Sequence, residues 1–282
     1  MRIRFYIAPS LPKDHVGRKL AQSLAEALAS IDTIEIINSA TKPLSDSHPE
    51  STPHIVHVFG SWDPSAAKFL QKVYRRRIPI VYSPVGGMLE WNKKESSPQK
   101  RIALYTNQKS MISHSEVVFA WSELERKSIE TMKKPQRIEV FANPVISNTL
   151  TIAELSNSLL QIYQEAIKNF EAKMLDKINK RITDWKDSEG IHTILFKLLY
   201  VRHQLHQGSI PHESVTDLCQ TMINTEYNED EMNDILQQMK WDKWMARLEQ
   251  IMSETDGLTE GFMPSAPLND NVTKKIKERI EG

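Results

Sequence analysis

The chain has 282 residues, with 36 Lys and Arg against 36 Asp and Glu, one cysteine and nine glycines. That length holds one large domain or two ordinary ones, and the balanced charge excludes a global field that would draw the protein to nucleic acid or an acidic membrane. The lone Cys219, spaced with Val215, Leu218 and Met222 along one helix face, reads as a small core residue of a reducing compartment.

The amino terminus, MRIRFYIAPSLP, carries positive charge, but its apolar stretch is too short for a signal peptide and meets proline at once. It predicts a first strand over residues 2–8. Short β-branched and aromatic runs recur at residues 33–38, 54–60, 78–83, 116–121 and 137–142, alternating with helical patterns. Between the first two strands, DHVGRKLAQSLAEALAS places Leu20, Leu24, Ala27 and Leu28 on one face, the pattern of an amphipathic crossover helix. Further helices are expected over 64–76, 99–112 and 123–133, the last two after start signals at Ser97-Pro98 and Ser122. The fold class expected for this half is α/β, a doubly wound parallel sheet of Rossmann type with right-handed crossovers.

Ligands of such sheets lie outside the carboxyl ends of the strands. That brings forward residues 9–17, 60–63, 83–87, 122–125 and 143–144. Beyond residue 150 the pattern changes. Leu155, Leu159, Ile162, Ala166 and Phe170 recur at helical spacing, then Ile191, Ile194, Leu195, Leu198, Leu199 and Leu205. Met232, Ile235, Leu236 and Met239, followed by Trp244, Met245, Leu248 and Ile251, predict a third long helix. The expected division is an α/β domain over 1–150, an all-helical module over 151–254, and a mobile linker with a short terminal helix over 255–282. No run approaches the roughly 18 to 20 apolar residues that cross a bilayer, so the expected location is cytoplasmic, with peripheral membrane contact left open.

Few motifs carry chemistry. Gly86-Gly87 follows Pro84 directly after a strand, where backbone amides can approach an anion or a sugar and where a plain tight turn would look the same. His54 and His57, three apart on a strand, face opposite ways and cannot share a metal; His57 reads as a satisfied core histidine. His203, His206 and His212 lack the acidic or cysteine partners of a metal site and read as a helix end. Arg75, Arg76 and Arg77 complement a helix carboxyl terminus. No GxGxxG, GxxxxGK[ST] or GxSxG occurs.

The ordered series SPVGGMLEW, SHSEVVFAWSELE and VFANPV resembles the amino-terminal, acceptor-side domain of family-four glycosyltransferases of the GT-B type, especially those of bacterial surface-polysaccharide synthesis. The resemblance covers residues 1–150. It implies that Gly17, Gly60, Gly86, Gly87, Ser122, Glu123 and Glu125 line or shape the sugar cleft, with Ser83 opening the glycine loop. It implies no metal and no cofactor, the nucleotide-sugar donor being a substrate, and a sugar or lipid-linked glycan acceptor. Two departures stand out: Val85 replaces the basic residue or histidine of the loop, and no Glu has another Glu eight positions on, as the donor domain's ExFGxxxxE setting requires. EGFMPSAPL, at 260–268, imitates that setting but ends in leucine.

Three functions follow. One is the acceptor-side half of a nucleotide-sugar-dependent hexosyltransferase whose donor site comes from a partner protein. Another is a non-catalytic glycan- or partner-binding, regulatory protein derived from that domain. The last is an independent enzyme built on His57, Asp63 and Glu123.

Overall fold

A computed structural model of the chain describes residues 1–29, 33–37, 52–89, 98–147, 149–186 and 188–281. Expectations placed on Ser30, Asn38, Glu90, Trp91 and Ser97 lie outside these residues. Six strands, β1 (Arg2–Ile7), β2 (Thr33–Ile37), β3 (Ile55–Phe59), β4 (Ile80–Ser83), β5 (Val117–Ala120) and β6 (Ile138–Val140), form one parallel sheet in the order β2-β1-β3-β4-β5-β6. All five pairings are parallel, and Ile3 sits in register with Ile34 on one side and Ile55 on the other.

The inner strands of this sheet, β1, β3, β4 and β5, are buried on both faces, which is why they read as apolar runs rather than clean alternations. On one face Ile3, Phe5, Ile7, Ile55, Phe59, Val81, Val117 and Phe119 meet α1 (Val16–Ala29) and the first half of α5 (Ile152–Arg181). On the other, Tyr6, Ala8, Val56, Val58, Ile80, Tyr82 and Val118 meet α2 (Pro64–Arg75), α3 (Pro98–His114) and α4 (Glu123–Met132). The period-two alternation of β1 between the two clusters follows from strand geometry. Strand order reverses between β1 and β3, the position at which doubly wound sheets open a crevice.

The described residues divide into two compact units, the first reaching to Glu171 without Thr52, the second holding Thr52 and Ala172 onward. The α/β unit therefore extends past the expected boundary at 150. Its added part is the first half of α5, whose Leu155, Leu159, Ile162, Tyr163 and Ala166 are all at least nine-tenths buried in the sheet's own core. Periodicity announced a helix there but could not say which core its stripe would join.

The second unit packs the end of α5 with α6 (Glu189–Gln207), α7 (His212–Asn224), α8 (Glu229–Gln238), α9 (Asp242–Thr255) and α10 (Asn271–Lys277) around one apolar core. Three expectations change here. The module is not wholly helical: β7 (Ile210–Pro211) pairs in parallel with β8 (Ile280–Glu281), tying the chain's end to the α6–α7 turn. The expected third long helix is broken into α8 and α9, because Lys240 adopts φ +58°, a left-handed turn that no helix continues through. The expected mobile linker is packed. Leu258 and Met263 are buried, Leu268 N donates to Ala246 O at 2.9 Å, and Ser265 N donates to Glu249 Oε1 at 3.2 Å. Among the described residues no helix is long and apolar enough to cross a membrane.

Candidate functional site

The carboxyl edge of the sheet is built from loops that hold one another. Where the strand order switches between β1 and β3, Asp63 caps α2, its Oδ1 accepting from Ser65 N at 2.7 Å and Ala66 N at 3.1 Å. Its Oδ2 accepts from Ser10 N at 2.9 Å, joining the loop after β1 to the loop after β3. Gly60 sits where the two loops touch, with φ +112° and its N–H donating to Ser83 O at 2.9 Å. A methyl group there would lie 2.6 Å from Ala8 Cβ, so only glycine permits this approach.

The glycine loop after β4 is clamped from both sides. Glu125, in the first turn of α4, is fully buried, and its carboxylate accepts from Trp121 N at 2.9 Å and Met88 N at 3.4 Å, and from the Gly86 amide. Burial raises its proton affinity, and these three backbone donors oppose that by favouring the ionised form. Ser122 caps the same helix, its Oγ accepting from Glu125 N at 3.1 Å. From the other side Trp62 Nε1 donates to Gly87 O at 2.5 Å, while Trp62 N donates to Gln108 Oε1 at 3.0 Å and Gln108 Nε2 donates to the Tyr82 hydroxyl. Gly87 has no room for a side chain, since a Cβ would meet Ser61 Oγ at 1.7 Å and Pro84 O at 3.0 Å. Gly86 differs: its φ is +83° and a Cβ would meet nothing within 4 Å.

Val85, where the family resemblance expects a basic side chain, turns inward at φ +53° and is 5 % exposed. It packs on the first turn of α1, and a Cβ on Gly17 would lie 2.8 Å from Val85 Cβ. His15 Nδ1 accepts from Gly17 N at 3.0 Å and fixes that turn. Gly17 is thus the socket for Val85.

Beneath the loop lies a buried relay. His57 Nδ1 is 2.6 Å from the Tyr163 hydroxyl and His57 Nε2 is 2.7 Å from Ser83 Oγ. Burial drives the imidazole down to about 3, so it is neutral at physiological pH, and burial also raises the Tyr163 phenol well above its ordinary value. One ring nitrogen therefore donates and the other accepts. A serine hydrogen-bonded to a neutral histidine that is oriented by a third group has the form of an activated nucleophile. Here Ser83, His57 and Tyr163 are at most 2 % exposed, and the adjoining cavity, lined also by Phe119, Trp121 and Asn143, measures about 20 Å³, room for one water. Ser83 is buried in this arrangement, with its hydroxyl held by His57.

The structure brings Gly17, Gly60, Ser83, Gly86, Gly87, Ser122 and Glu125 into one connected set of loops. Glu123 stands outside it, exposed and paired with Arg126 at 2.7 Å. His57, Asp63 and Glu123 belong to three separate networks, which removes the triad expected of an independent enzyme. Sequence reasoning missed Tyr163, Trp62 and Gln108 as parts of this edge. Trp62 lay within a strand-end loop, whereas Tyr163 and Gln108 sit inside helices and gave no signal beyond helical spacing. No group of three or more His, Cys, Asp or Glu among the described residues could hold a metal ion. Compared with known proteins, the chain matches no family model, no curated protein and no solved structure.

Proposed function

We propose that this chain is a glycan-binding protein built on a glycosyltransferase-type acceptor domain: the carboxyl-edge loops of the α/β unit recognise a sugar, and the chain performs no transfer by itself. The observation that carries this is how the edge uses its polar groups. Asp63 and Glu125 hold loops together, and Ser83, His57 and Tyr163 bind one another between β4, β3 and α5, which leaves them no part as acid, base or nucleophile. What the clamps hold in place is the backbone around Gly86, where the loop borders open space. A rigid, preformed loop suits recognition of a sugar, because little ordering entropy is lost on binding. The resemblance of SPVGG, SELE and NPV to acceptor-side glycosyltransferase loops names sugar as the ligand class, and Val85, packed on Gly17, replaces the side chain that would face the transferred group.

The test is a panel of immobilised bacterial surface-polysaccharide fragments probed with the purified full chain and with Gly86→Ala. Selective capture of at least one fragment, weakened about tenfold by Gly86→Ala while the fold is retained, is the expected result. Consumption of UDP-glucose or UDP-N-acetylglucosamine by the chain alone, or capture that is indifferent to Gly86→Ala, overturns it. Transfer that appears only when a donor-domain protein is added identifies the glycan bound here as the acceptor of a two-chain enzyme.

A further inference from the structure

The charges of this chain balance as a whole and separate by face. α2 and α3 pack side by side on one face of the sheet, and Phe69, Leu70 and Val73 of α2 join Met111 and Ile112 of α3 in a single core. Near the carboxyl ends of the two helices the rings of Tyr74 and His114 stack at 3.9 Å. The outer sides of both helices therefore point together away from the sheet. Each helix holds three lysines and arginines and neither holds an aspartate or glutamate, in a chain with 36 residues of each sign. After Pro64, the exposed positions of α2 are Lys68, Lys72, Tyr74 and Arg75. Among the described residues no ion pair reaches Lys68, Lys72, Arg75 or the exposed Arg101 of α3.

Solvation accounts for the cations. It does not account for the apolar side chains set among them. Ile102 is 68 % exposed, Tyr74 45 % and Tyr105 41 %. Ile102, Tyr105 and Lys109 follow one another at three- and four-residue spacing along one side of α3, and Lys109 Nζ stands 4.6 Å from the centre of the Tyr105 ring. A single exposed apolar residue needs no explanation. Three of them on a cationic face that lacks any carboxylate have the composition of an interfacial surface, where lysine and arginine meet anionic headgroups while tyrosine and aliphatic side chains settle at the acyl boundary. A nucleic acid draws its affinity from phosphate contacts and leaves Ile102 without a partner. A protein partner calls for a contiguous apolar patch, which Lys72, Arg75, Arg101 and Lys109 interrupt.

We propose that the outer face of α2 and α3 docks the α/β unit on an anionic phospholipid bilayer. The face uses none of the loop residues that recognise a sugar, and the proposal does not depend on that reading.

The experiment sediments the full chain with phosphatidylcholine vesicles, with and without phosphatidylglycerol, at low and at physiological salt. Binding is expected to the anionic vesicles alone and to fall as salt rises. Each cation near such a surface is worth about fivefold in affinity, so Lys68→Glu/Lys72→Glu should weaken binding tenfold or more, and Ile102→Ser should weaken it severalfold. All three side chains are exposed, so melting temperatures should stay at the wild-type value. Lys243→Glu/Lys275→Glu, an equal charge reversal at exposed positions of the helical unit, should leave binding unchanged. Equal binding to both kinds of vesicle, no binding to the anionic ones, or equal losses from the two double variants would each overturn the proposal. Duplex DNA bound as tightly as the vesicles, with Ile102→Ser indifferent in both, would reveal a plain basic face and overturn it too. Glycan capture by Lys68→Glu/Lys72→Glu should match the wild type, so that failure here is read apart from failure of the sugar edge.

Discussion

Adjacent glycines in one loop have unlike tasks. A side chain on Gly87 would collide with Ser61 and with the Pro84 carbonyl, so Gly87→Ala should cost about 1–3 kcal/mol through overpacking. Gly86→Ala meets no atom and carries only the strain of a left-handed residue, about 1–2 kcal/mol, so urea titration should show the larger loss for Gly87→Ala. Nothing in the pair GG says which glycine is which. That depends on Ser61, which arrives from another strand end. Val85 shows the same limit, since its identity was plain in the sequence and its socket, Gly17, was not. Glu249 was not singled out at all. It is fully buried on α9, and burial, with the Glu229 charge adding to it, pushes its carboxyl up to about 8. A carboxyl raised in the folded state contributes stability that is full below its unfolded value near 4.5 and is lost as pH rises through about 8. Glu249→Gln should therefore flatten the stability profile between pH 5 and 9 and raise stability at the alkaline end by a few kcal/mol. Melting temperatures across that range check it.

Elements were legible in proportion to how local their causes are. All six strands of the sheet were readable as β-branched and aromatic runs, continuous in the inner four because both their faces are buried. Ser122 and Asp63 lie where helix-capping chemistry needs them, one residue before α4 and α2. The turn between α8 and α9 was not readable, because Lys240 is an ordinary helix former forced to φ +58° while Trp241 is drawn into the core. The stretch before α10 looked mobile for its Pro, Ser and Asn content, yet its anchors are few and specific. Asp270 caps α10 through Val272 N at 2.8 Å and Thr273 N at 2.9 Å, and it also receives Arg247 at 2.7 Å. These donors hold its carboxyl well below the usual range, the Arg247 hydrogen bond first. Asp270→Ala removes the cap and should destabilise this segment, seen as faster amide exchange over residues 258–281 than over α6 and α7. Asp270→Asn keeps the cap and loses the charge, and should recover most of the protection.

At the scale of the molecule, the change of pattern near residue 150 was a true change of secondary structure and a false change of domain. Helices that follow a sheet read alike whether they pack on it or leave it, because a 3.6-residue stripe records that a face is buried and not what buries it. Here the first half of α5 supplies one wall of the sheet's core and the hydroxyl that completes the His57 relay. The consequence is measurable on two fragments. Ending the chain at 150 strips Leu155, Leu159, Ile162 and Tyr163 from the core, side chains worth about 1.5–3 kcal/mol each on burial. That sum rivals the whole stability of a domain, about 5–15 kcal/mol. It also leaves His57 Nδ1 without its partner, an added cost of about 1–3 kcal/mol for a buried polar atom. Fragment 1–150 should therefore lack a cooperative urea transition and bind a hydrophobic dye, as a chain that keeps its strands but has lost its packing does. Fragment 1–171, which retains those side chains, should unfold cooperatively and bind little dye. In fragment 1–171, Tyr163→Phe should then lower stability without abolishing the transition, because the ring still fills the wall and only the hydroxyl is gone. Two fragments that behave alike would mean that α5 lies against the sheet without supporting it.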